Sequence, residues 1–344
     1  MLPDAHPRFL MSKCARTSSN PRFTRRLAWA AVVTIASVAY GQLALAQPTD
    51  EFHRTLMVTA TEPVTLDVEI PSGELQILYS RDGQVSITGF AQASADARLD
   101  NNFFKAVLTI EQNGNHLKIR HVRNPAYPEE GINVLYRMDV PYRTEVTSRV
   151  DHGKQTFSGI MGPVKAVTGK GDIKASYVSK GLQAQVDSGN LDLQVIGEHV
   201  EAKTGNGNIS CERVAQGVSA ETEDGDITLM VVGPSTATVK KGTGRIDVGG
   251  ARASFTGSTN GGDLHVRAVP HDDWQLNSAS GNIRLELPRA AKFELDVSTD
   301  SGEFQLDRDD ITRPGSAPRH FHQKVNGGGT RVDVHTGSGK IVIR

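Results

Sequence analysis

Cysteine is nearly absent from this 344-residue chain, which contains only Cys14 and Cys211. Cys14 precedes an apolar run typical of a cleavable export signal, so no disulfide is expected within the mature chain. Cys211 falls at an inward position of a predicted strand, which favours a small core residue over a nucleophile. No cysteine directly follows the apolar run, so a lipoprotein anchor is not expected either.

An excess of charge of either sign is also missing. The chain has 38 Lys and Arg against 39 Asp and Glu, and its formal net charge is −1. Without a basic stripe, nucleic acid is not expected as a partner. Because no long helical periodicity follows the apolar run, a largely helical fold is excluded as well.

Aromatic residues make up only 6% of the chain. Trp274 is the single tryptophan after the apolar run, and it falls at an inward position. Phe255 and Phe293 are likewise predicted in the core or at a corner. The sequence therefore offers little sign of the exposed aromatic platforms on which sugars stack.

The chain has 34 glycines, and through its second half a glycine returns about every eighteen residues. Ile or Leu usually follows each glycine after two residues, and Thr often precedes it by three. A short fixed period of this kind indicates a stack of similar units. The recurring glycines are Gly153, Gly171, Gly189, Gly207, Gly225, Gly244, Gly262, Gly281, Gly302 and Gly339.

Each repeat alternates apolar or small residues with polar ones. Around Gly207 the apolar or small positions are Val200, Ala202, Thr204 and Ile209. Alternation with period two predicts two short strands per repeat, each with one buried face. We therefore predict an all-β fold, a parallel β-solenoid with coils of about 18 residues. The inward threonines are interpreted as small corner-packing residues, with hydrogen bonding along the stack as the alternative.

The N-terminal segment 1–46 is predicted to be a signal peptide. Three arginines precede an apolar run over 27–39, and Ala44-Leu45-Ala46 offers a small-x-small cleavage site. The alternative is an uncleaved anchor, because 27–46 has about the length of a membrane span. Polar residues inside the run favour cleavage. The expected location is the periplasm or the cell surface, with no membrane span after cleavage.

Two further regions follow the predicted signal peptide. Residues 47–145 are predicted as an N-terminal β-rich cap, in which the repeat pattern occurs once, around Gly73. Residues 146–344 are predicted as solenoid repeats, with an inserted polar loop at 307–324. Solenoids need caps because an open end exposes unpaired strand edges and core.

The outward positions show no predicted catalytic pair. Polysaccharide lyases and hydrolases need clustered acids. Here the residues after the glycines mix signs and amides, and Asp226 is separated from Asp263 by a coil that carries Arg245. We therefore predict no catalytic residues.

No metal or cofactor is predicted either. The calcium β-roll repeat needs Asp where this chain has Ile or Leu, which leaves single weak sites near Asp224 and Asp226 as the alternative. Zinc needs three or four ligands, whereas His320 and His322 are two, with His335 as a neighbour. No phosphate-binding or dinucleotide-binding motif occurs in a suitable context.

The repeated phrases resemble those of a known bacterial family. They include TGKGDI at 168–173, VDSGNLDL at 186–193, TGNGNI at 204–209 and HTGSGKIVIR at 335–344. These are similar to exported β-solenoid domains of unknown function that are proposed to be adhesins. The resemblance covers about residues 60–344. It implies the architecture, and it transfers no catalytic residue.

Two hypotheses about function follow. The first is a non-enzymatic envelope or cell-surface protein that binds a partner, as an adhesin or a scaffold does. Its partner would be an envelope protein or a glycan, or a second copy of the chain. The alternative is a carbohydrate-active β-helix enzyme, either a lyase or a hydrolase.

Overall fold

The computed structural model describes residues 48–59, 61–94, 97–312 and 319–344. The predicted signal peptide 1–46, together with Cys14, lies outside these residues. No helix in the described part of the chain is both long enough and apolar enough to cross a membrane.

The first third of the described chain contains seven strands and one short helix. Period-two alternation is clear in Val64–Ser72, where Leu66 and Val68 are buried and Asp67 between them is partly exposed. The elements are β1 (Thr49–Leu56), β2 (Val64–Ser72), β3 (Glu74–Tyr79), β4 (Val85–Ala93), α1 (Phe103–Val107), β5 (Leu108–Asn113), β6 (His116–His121) and β7 (Ile132–Val140).

The next part of the chain is a series of strand pairs, and each pair forms one coil around a recurring glycine. The coils run through β8 (Thr144–His152), β9 (Gln155–Ser158), β10 (Val164–Lys170), β11 (Ile173–Val178), β12 (Leu182–Ser188), β13 (Leu191–Ile196), β14 (Val200–Asn206), β15 (Ile209–Val214), β16 (Val218–Asp224), β17 (Ile227–Val232), β18 (Ser235–Val239) and β19 (Ile246–Gly249).

The same arrangement continues to the end of the chain, with one additional strand. These elements are β20 (Phe255–Thr259), β21 (Leu264–Arg267), β22 (Trp274–Ser278), β23 (Ile283–Glu286), β24 (Phe293–Thr299), β25 (Glu303–Leu306), β26 (His320–Val325), β27 (Thr330–Thr336) and β28 (Lys340–Ile343).

The strands form two mostly parallel sheets, which confirms the predicted all-β solenoid. Ile173 pairs with Leu191, which pairs with Ile209 and then Ile227, so equivalent residues stand one behind another. The first strand of each coil lies in one sheet and the second strand lies in the other. The predicted period is therefore the physical repeat of the stack.

Inward side chains from both sheets join in one continuous buried cluster. Ile173, Ile209 and Ile227 are each at most 1% exposed, and Trp274 is fully buried. Burial of an aliphatic side chain of this size contributes about 1.5–3 kcal/mol. Stacking of identical apolar positions therefore stabilises each coil against its neighbours.

The recurring glycines lie where the backbones of neighbouring coils come closest. A Cβ at Gly207 would stand 2.6 Å from the carbonyl carbon of Gly189, inside van der Waals contact. The inward threonines hydrogen-bond to the same corner of the neighbouring coil. The Thr204 hydroxyl donates to the Gly189 carbonyl oxygen at 2.9 Å. The Thr222 hydroxyl donates to the Gly207 carbonyl oxygen at 3.1 Å. The alternative interpretation of these threonines is thus correct, since they hydrogen-bond along the stack.

At the N-terminal end, β2 and β3 form a coil of their own. They pair in parallel with β8 and β9, so the coil around Gly73 stacks directly on the coil around Gly153. Antiparallel strands β1, β4 and β7 extend one sheet beyond it, and the β5–β6 hairpin extends the other. The domain boundary at 145/146 stays a prediction.

At the C-terminal end, the order of coils in space differs from their order in the chain. Strands β27 and β28 insert between the coil of β22 and β23 and the coil of β24 and β25. Strand β26 then pairs antiparallel with β24 as the outer edge. Of the predicted loop over 307–324, residues 313–318 lie outside the described residues. The prediction is wrong for His320–Lys324, because this stretch is strand and satisfies the open edge of β24.

Cys211 occupies the inward position expected from the sequence and is fully buried. Burial raises the pKa of its thiol from 9.0 to about 12, because a thiolate loses hydration there, and the negative charge of Asp192 raises it further.

We expect iodoacetamide at pH 8 to alkylate Cys211 only after unfolding. Mass spectrometry with and without urea measures this, and rapid alkylation of the folded protein would contradict the burial.

The same shift sets a pH dependence. An unfolded thiol ionises near its ordinary pKa while the folded thiol stays protonated, so the folded state binds more protons in that range. Unfolding therefore releases a proton from the thiol in this range, and the free energy of unfolding should fall as the pH rises from about 9 towards 12. Cys211→Ala should remove that dependence, which urea titrations at several pH values measure.

Candidate functional site

The outward residues that follow the recurring glycines form a hydrogen-bonded ladder. In each rung, a side-chain oxygen accepts from the backbone N–H of the equivalent residue on the neighbouring coil. The bonds are Asn190 N–H to Asp172 (2.8 Å), Asn208 N–H to Asn190 (2.9 Å), Asp226 N–H to Asn208 (2.8 Å), Arg245 N–H to Asp226 (2.7 Å), Asn282 N–H to Asp263 (2.8 Å) and Lys340 N–H to Asn282 (2.9 Å).

This ladder explains the acidic and amide residues that the sequence left without a role. Asp226 and Asp263 satisfy corner backbone groups, and they do not face each other across a cleft. Asp and Asn are suited to this position because their short side chains reach a nearby backbone N–H. The ladder is thus a structural device.

Asp226→Ala should lower the free energy of unfolding by about 1 kcal/mol, because the Arg245 N–H loses its acceptor. Asp226→Asn keeps an acceptor oxygen and should cost less. Urea denaturation of both variants measures the difference. Equal urea midpoints for the two variants would show that the ladder does not stabilise the corner.

The predicted histidine pair lies on the edge strand β26 and faces acidic residues of β24. His320 Nε2 is 2.9 Å from Asp296 Oδ1, and His322 Nε2 is 3.1 Å from Glu294 Oε1. These contacts join β26 to its partner strand. Within the described ranges, no group of three or more His, Cys, Asp or Glu residues is arranged to hold a metal ion.

His335 has a serine and an aspartate nearby, which invites comparison with a catalytic triad. The Ser298 hydroxyl is 3.0 Å from His335 Nδ1, and His335 Nε2 is 4.0 Å from Asp300. The Asp300 side chain is 77% exposed. A triad carboxylate is buried and hydrogen-bonded so that it orients the imidazole. Asp300 has neither property, so this group does not form a triad.

Shallow hollows on the outer face do not bring acids together. A hollow of about 370 Å³ is lined by Glu145 and Glu201, among other residues. These two residues lie on β8 and β14, with β10 and β12 between them, so they are separated by about 14 Å at 4.8 Å per strand. The carboxyl groups of glycoside hydrolases lie about 5–9.5 Å apart. This hollow therefore does not support the glycosidase alternative.

Exposed aromatic side chains lie along one corner of the first coils, where Tyr79 and Tyr177 occupy equivalent positions and Tyr142 packs against Tyr79. Tyr79, Tyr142 and Tyr177 are 41%, 41% and 64% exposed, and Met161 beside them is 48% exposed. We call these four residues the tyrosine patch. The Tyr79 and Tyr142 rings meet edge to face with centroids 6.5 Å apart. Exposure of several large side chains at one place is typical of an interaction site.

The solenoid corner positions this patch. Tyr79 follows Gly73 by six residues, and Tyr177 follows its own recurring glycine by six. Gly159 occupies the equivalent position on the coil between them. The backbone is left-handed at two of these three positions, with φ of 76° at Gly159 and 56° at Tyr177, whereas Tyr79 ends strand β3. Because Gly159 has no side chain, Tyr79 lies over it. The patch therefore extends over three neighbouring coils, with no side chain at Gly159 to interrupt it.

Arg143 contacts the patch directly, and Arg81 is close to it in the chain. The Arg143 guanidinium lies over the Tyr142 ring, 5.6 Å from its centroid, which is cation–π geometry. Arg81 follows Tyr79 by two residues in an exposed turn. Among the described residues, neither arginine forms a salt bridge with a carboxylate. Both charges are therefore available to a ligand.

Sequence reasoning missed the tyrosine patch. It placed Trp274, Phe255 and Phe293 in the core, and all three are fully buried. The repeat did contain a signal for the patch, because Tyr79 and Tyr177 occupy the same outward corner position. Tyr142 had no such signal, since the carbonyl bond that ties it to Met161 is visible only in the structure.

Comparison with known proteins gives a family match and several structural similarities. A family model described as Toastrack DUF4097 matches residues 38–344. Among curated proteins, no match was found.

The structural similarities are to crystal structures of low sequence identity. A proposed adhesin from Bacteroides fragilis is 13% identical, with 86% of this chain and 97% of that chain covered and a TM-score of 0.33. A proposed adhesin from Parabacteroides distasonis is 13% identical, with coverage of 85% and 96% and a TM-score of 0.38. A proposed lipid-binding protein from the same species is 11% identical, with coverage of 86% and 98% and a TM-score of 0.35.

Proposed function

The chain belongs to the Toastrack DUF4097 family, and we propose that it is a non-enzymatic binding protein of the cell envelope or cell surface. It is exported, and it holds an envelope partner or a glycan on the outer surface of its solenoid. The observation that carries the proposal is the tyrosine patch, where three aromatic rings stand exposed on a rigid stack. Large rigid side chains of this kind give contact area at low entropic cost.

The outer surface also favours binding over catalysis. The acids of the ladder are engaged by backbone N–H groups, and the His335 group has an exposed and distant aspartate. An enzyme needs acids or nucleophiles held in mutual reach. A repetitive scaffold, in contrast, holds surface residues at fixed spacing.

Location is the first test. Intact cells that express the protein are treated with protease, and the cells are then fractionated into cytoplasm, periplasm and membranes. We expect either loss of the protein from intact cells or its recovery in the periplasm. Recovery only in the cytoplasm would overturn the proposal.

Binding is the second test. The purified protein is used to capture partners from envelope extracts, with Tyr177→Ala as the variant and Phe90→Ala as the control. Phe90 is also an exposed aromatic residue, but it lies on β4 away from the patch. We expect Tyr177→Ala alone to lose the captured partner. Sedimentation of the protein by itself identifies self-association.

Catalysis is tested separately with a panel of polysaccharides. We expect no release of reducing ends and no unsaturated products during incubation with the protein. Either product, formed in a time-dependent way, would support the enzyme alternative and overturn the binding proposal.

A further inference from the structure

We infer that the ligand of the tyrosine patch is an anionic polysaccharide. In this assignment, sugar rings stack on Tyr79 and Tyr177, and acidic groups of the polymer bind Arg81 and Arg143, the latter held over the Tyr142 ring. The inference rests on the proposed function and names the ligand class of the same site.

The rings have the chemistry that sugar stacking requires. A pyranose presents an apolar face of C–H groups and a rim of hydroxyls, and tyrosine presents an apolar ring with a polar tip. Tyr177 is the most exposed of the three at 64%. Its ring is therefore free to cover the face of a sugar.

The spacing of the rings suits a polymer. Tyr79 and Tyr177 lie on coils separated by one intervening coil, so their backbones are about 9.6 Å apart at 4.8 Å per strand. A chain of sugar units laid along the stack would meet one ring and then the next. A repetitive ligand thus matches a repetitive protein surface.

The charges select an acidic ligand. The Arg143 guanidinium is held against Tyr142, and neither it nor Arg81 forms an ion pair with an acid in the described part of the chain. Arginine binds carboxylate in a planar, two-pronged arrangement that lysine cannot reproduce. Carboxylates of a uronic acid polymer would complement these two cations beside the rings.

The small number of apolar side chains in the patch favours a polysaccharide over a folded protein. A stable protein interface buries about 800 Å² on each partner and has an apolar centre. Here one methionine, Met161, accompanies the three tyrosines. Such a surface offers stacking and charge, but little aliphatic area for a protein core to cover.

The test measures binding of the purified protein to immobilised polygalacturonate, with neutral dextran and poly-glutamate as the comparison polymers. We expect binding to polygalacturonate only, and weaker binding as salt is added. Tyr177→Ala should reduce the affinity about tenfold, as loss of a contact worth about 1.4 kcal/mol would. Arg143→Gln should also reduce it.

Two matched variants separate the patch from general effects. Phe90→Ala removes an exposed aromatic ring elsewhere, and Arg54→Gln removes an exposed arginine on β1. Neither should change the affinity. Circular dichroism of all variants checks that the fold is kept.

Three results would overturn the inference. These are absence of binding to polygalacturonate, binding that Tyr177→Ala and Arg143→Gln leave unchanged, and equal binding to poly-glutamate, which would indicate an acidic peptide ligand. If an envelope partner is still captured through Tyr177 in any of these cases, the ligand class is wrong and the proposed binding function stands.

Discussion

Gly225→Ala is expected to destabilise the middle of the solenoid severely. Gly225 has φ of +140°, a backbone conformation that side chains rarely adopt, and an added Cβ would lie 2.6 Å from the carbonyl carbon of Gly207. Backbone strain of this kind costs about 1–3 kcal/mol, and the forced shift of a packed neighbour costs about 1–3 kcal/mol more. The neighbour is backbone, which cannot rotate away.

Thermal unfolding followed by circular dichroism measures the effect. We expect the midpoint to fall by about 10 °C, because each kcal/mol of lost stability lowers the midpoint by about 2–4 °C in a large domain. The control is Gly83→Ala, because Gly83 also has positive φ, +65°, but has no atom within 4 Å of its Cβ position. It should cost about 1–2 kcal/mol. Equal shifts for both variants would show that coil contact is not the cause.

Removal of residues 326–344 is expected to detach the end of the solenoid. This deletion removes β27 and β28, which separate the coil of β22 and β23 from the coil of β24 and β25. It removes four buried apolar side chains, at about 1.5–3 kcal/mol each, or about 6–12 kcal/mol in all. That amount is comparable to the total stability of an ordinary domain, about 5–15 kcal/mol. The lost side chains are Val332, Val334, Ile341 and Ile343.

Hydrogen exchange read by mass spectrometry measures this prediction strand by strand. We expect β24–β26 to exchange rapidly in the truncated protein, while β10–β17 stay protected, because each coil contacts only its neighbours. Lys340→Ala is the control, since it keeps the backbone of β28 and the Asn282 bond to it. Unchanged protection of β24 would contradict the prediction, since it would show that the coil of β24 and β25 packs directly on the coil of β22 and β23 after the deletion.

Much of the fold could be predicted from particular residues. The spacing of Gly207 and Gly225 set the coil length, and the alternation through Val200, Ala202 and Thr204 set which side of each strand is buried. These predictions succeeded because a solenoid repeats one local arrangement, and neighbouring coils are close in the chain. Local pattern and tertiary contact therefore carry the same information.

The end of the stack could not be predicted in the same way. In the chain the coil of Gly302 precedes that of Gly339, but in space β27 and β28 lie between the coils of Gly281 and Gly302. Coils have nearly identical edges, so the pattern does not fix which coil follows which in space. Strand β26 was missed because its alternation of His320, Phe321 and His322 leaves no strongly buried face.

The binding site was less predictable still. Tyr142 comes from a loop before the first regular coil, whereas Tyr79 and Tyr177 are almost one hundred residues apart. Their alignment along the stack depends on β3 and β11 both pairing with β9, and Gly159 leaves room for Tyr79 on the coil between them. The ladder through Asp226 was also missed, because a hydrogen bond to the next coil's backbone leaves no mark in the sequence beyond the residue type.

By itself, the sequence determined the coil, its period and its core, because period-two alternation and close-approach glycines act within one or two neighbouring coils. Only the tertiary structure decided the order of the last coils, the bonding of the outward Asp and Asn residues, and the gathering of three tyrosines with two arginines. Those features depend on which surfaces meet across distant parts of the chain, and local patterns do not encode that choice.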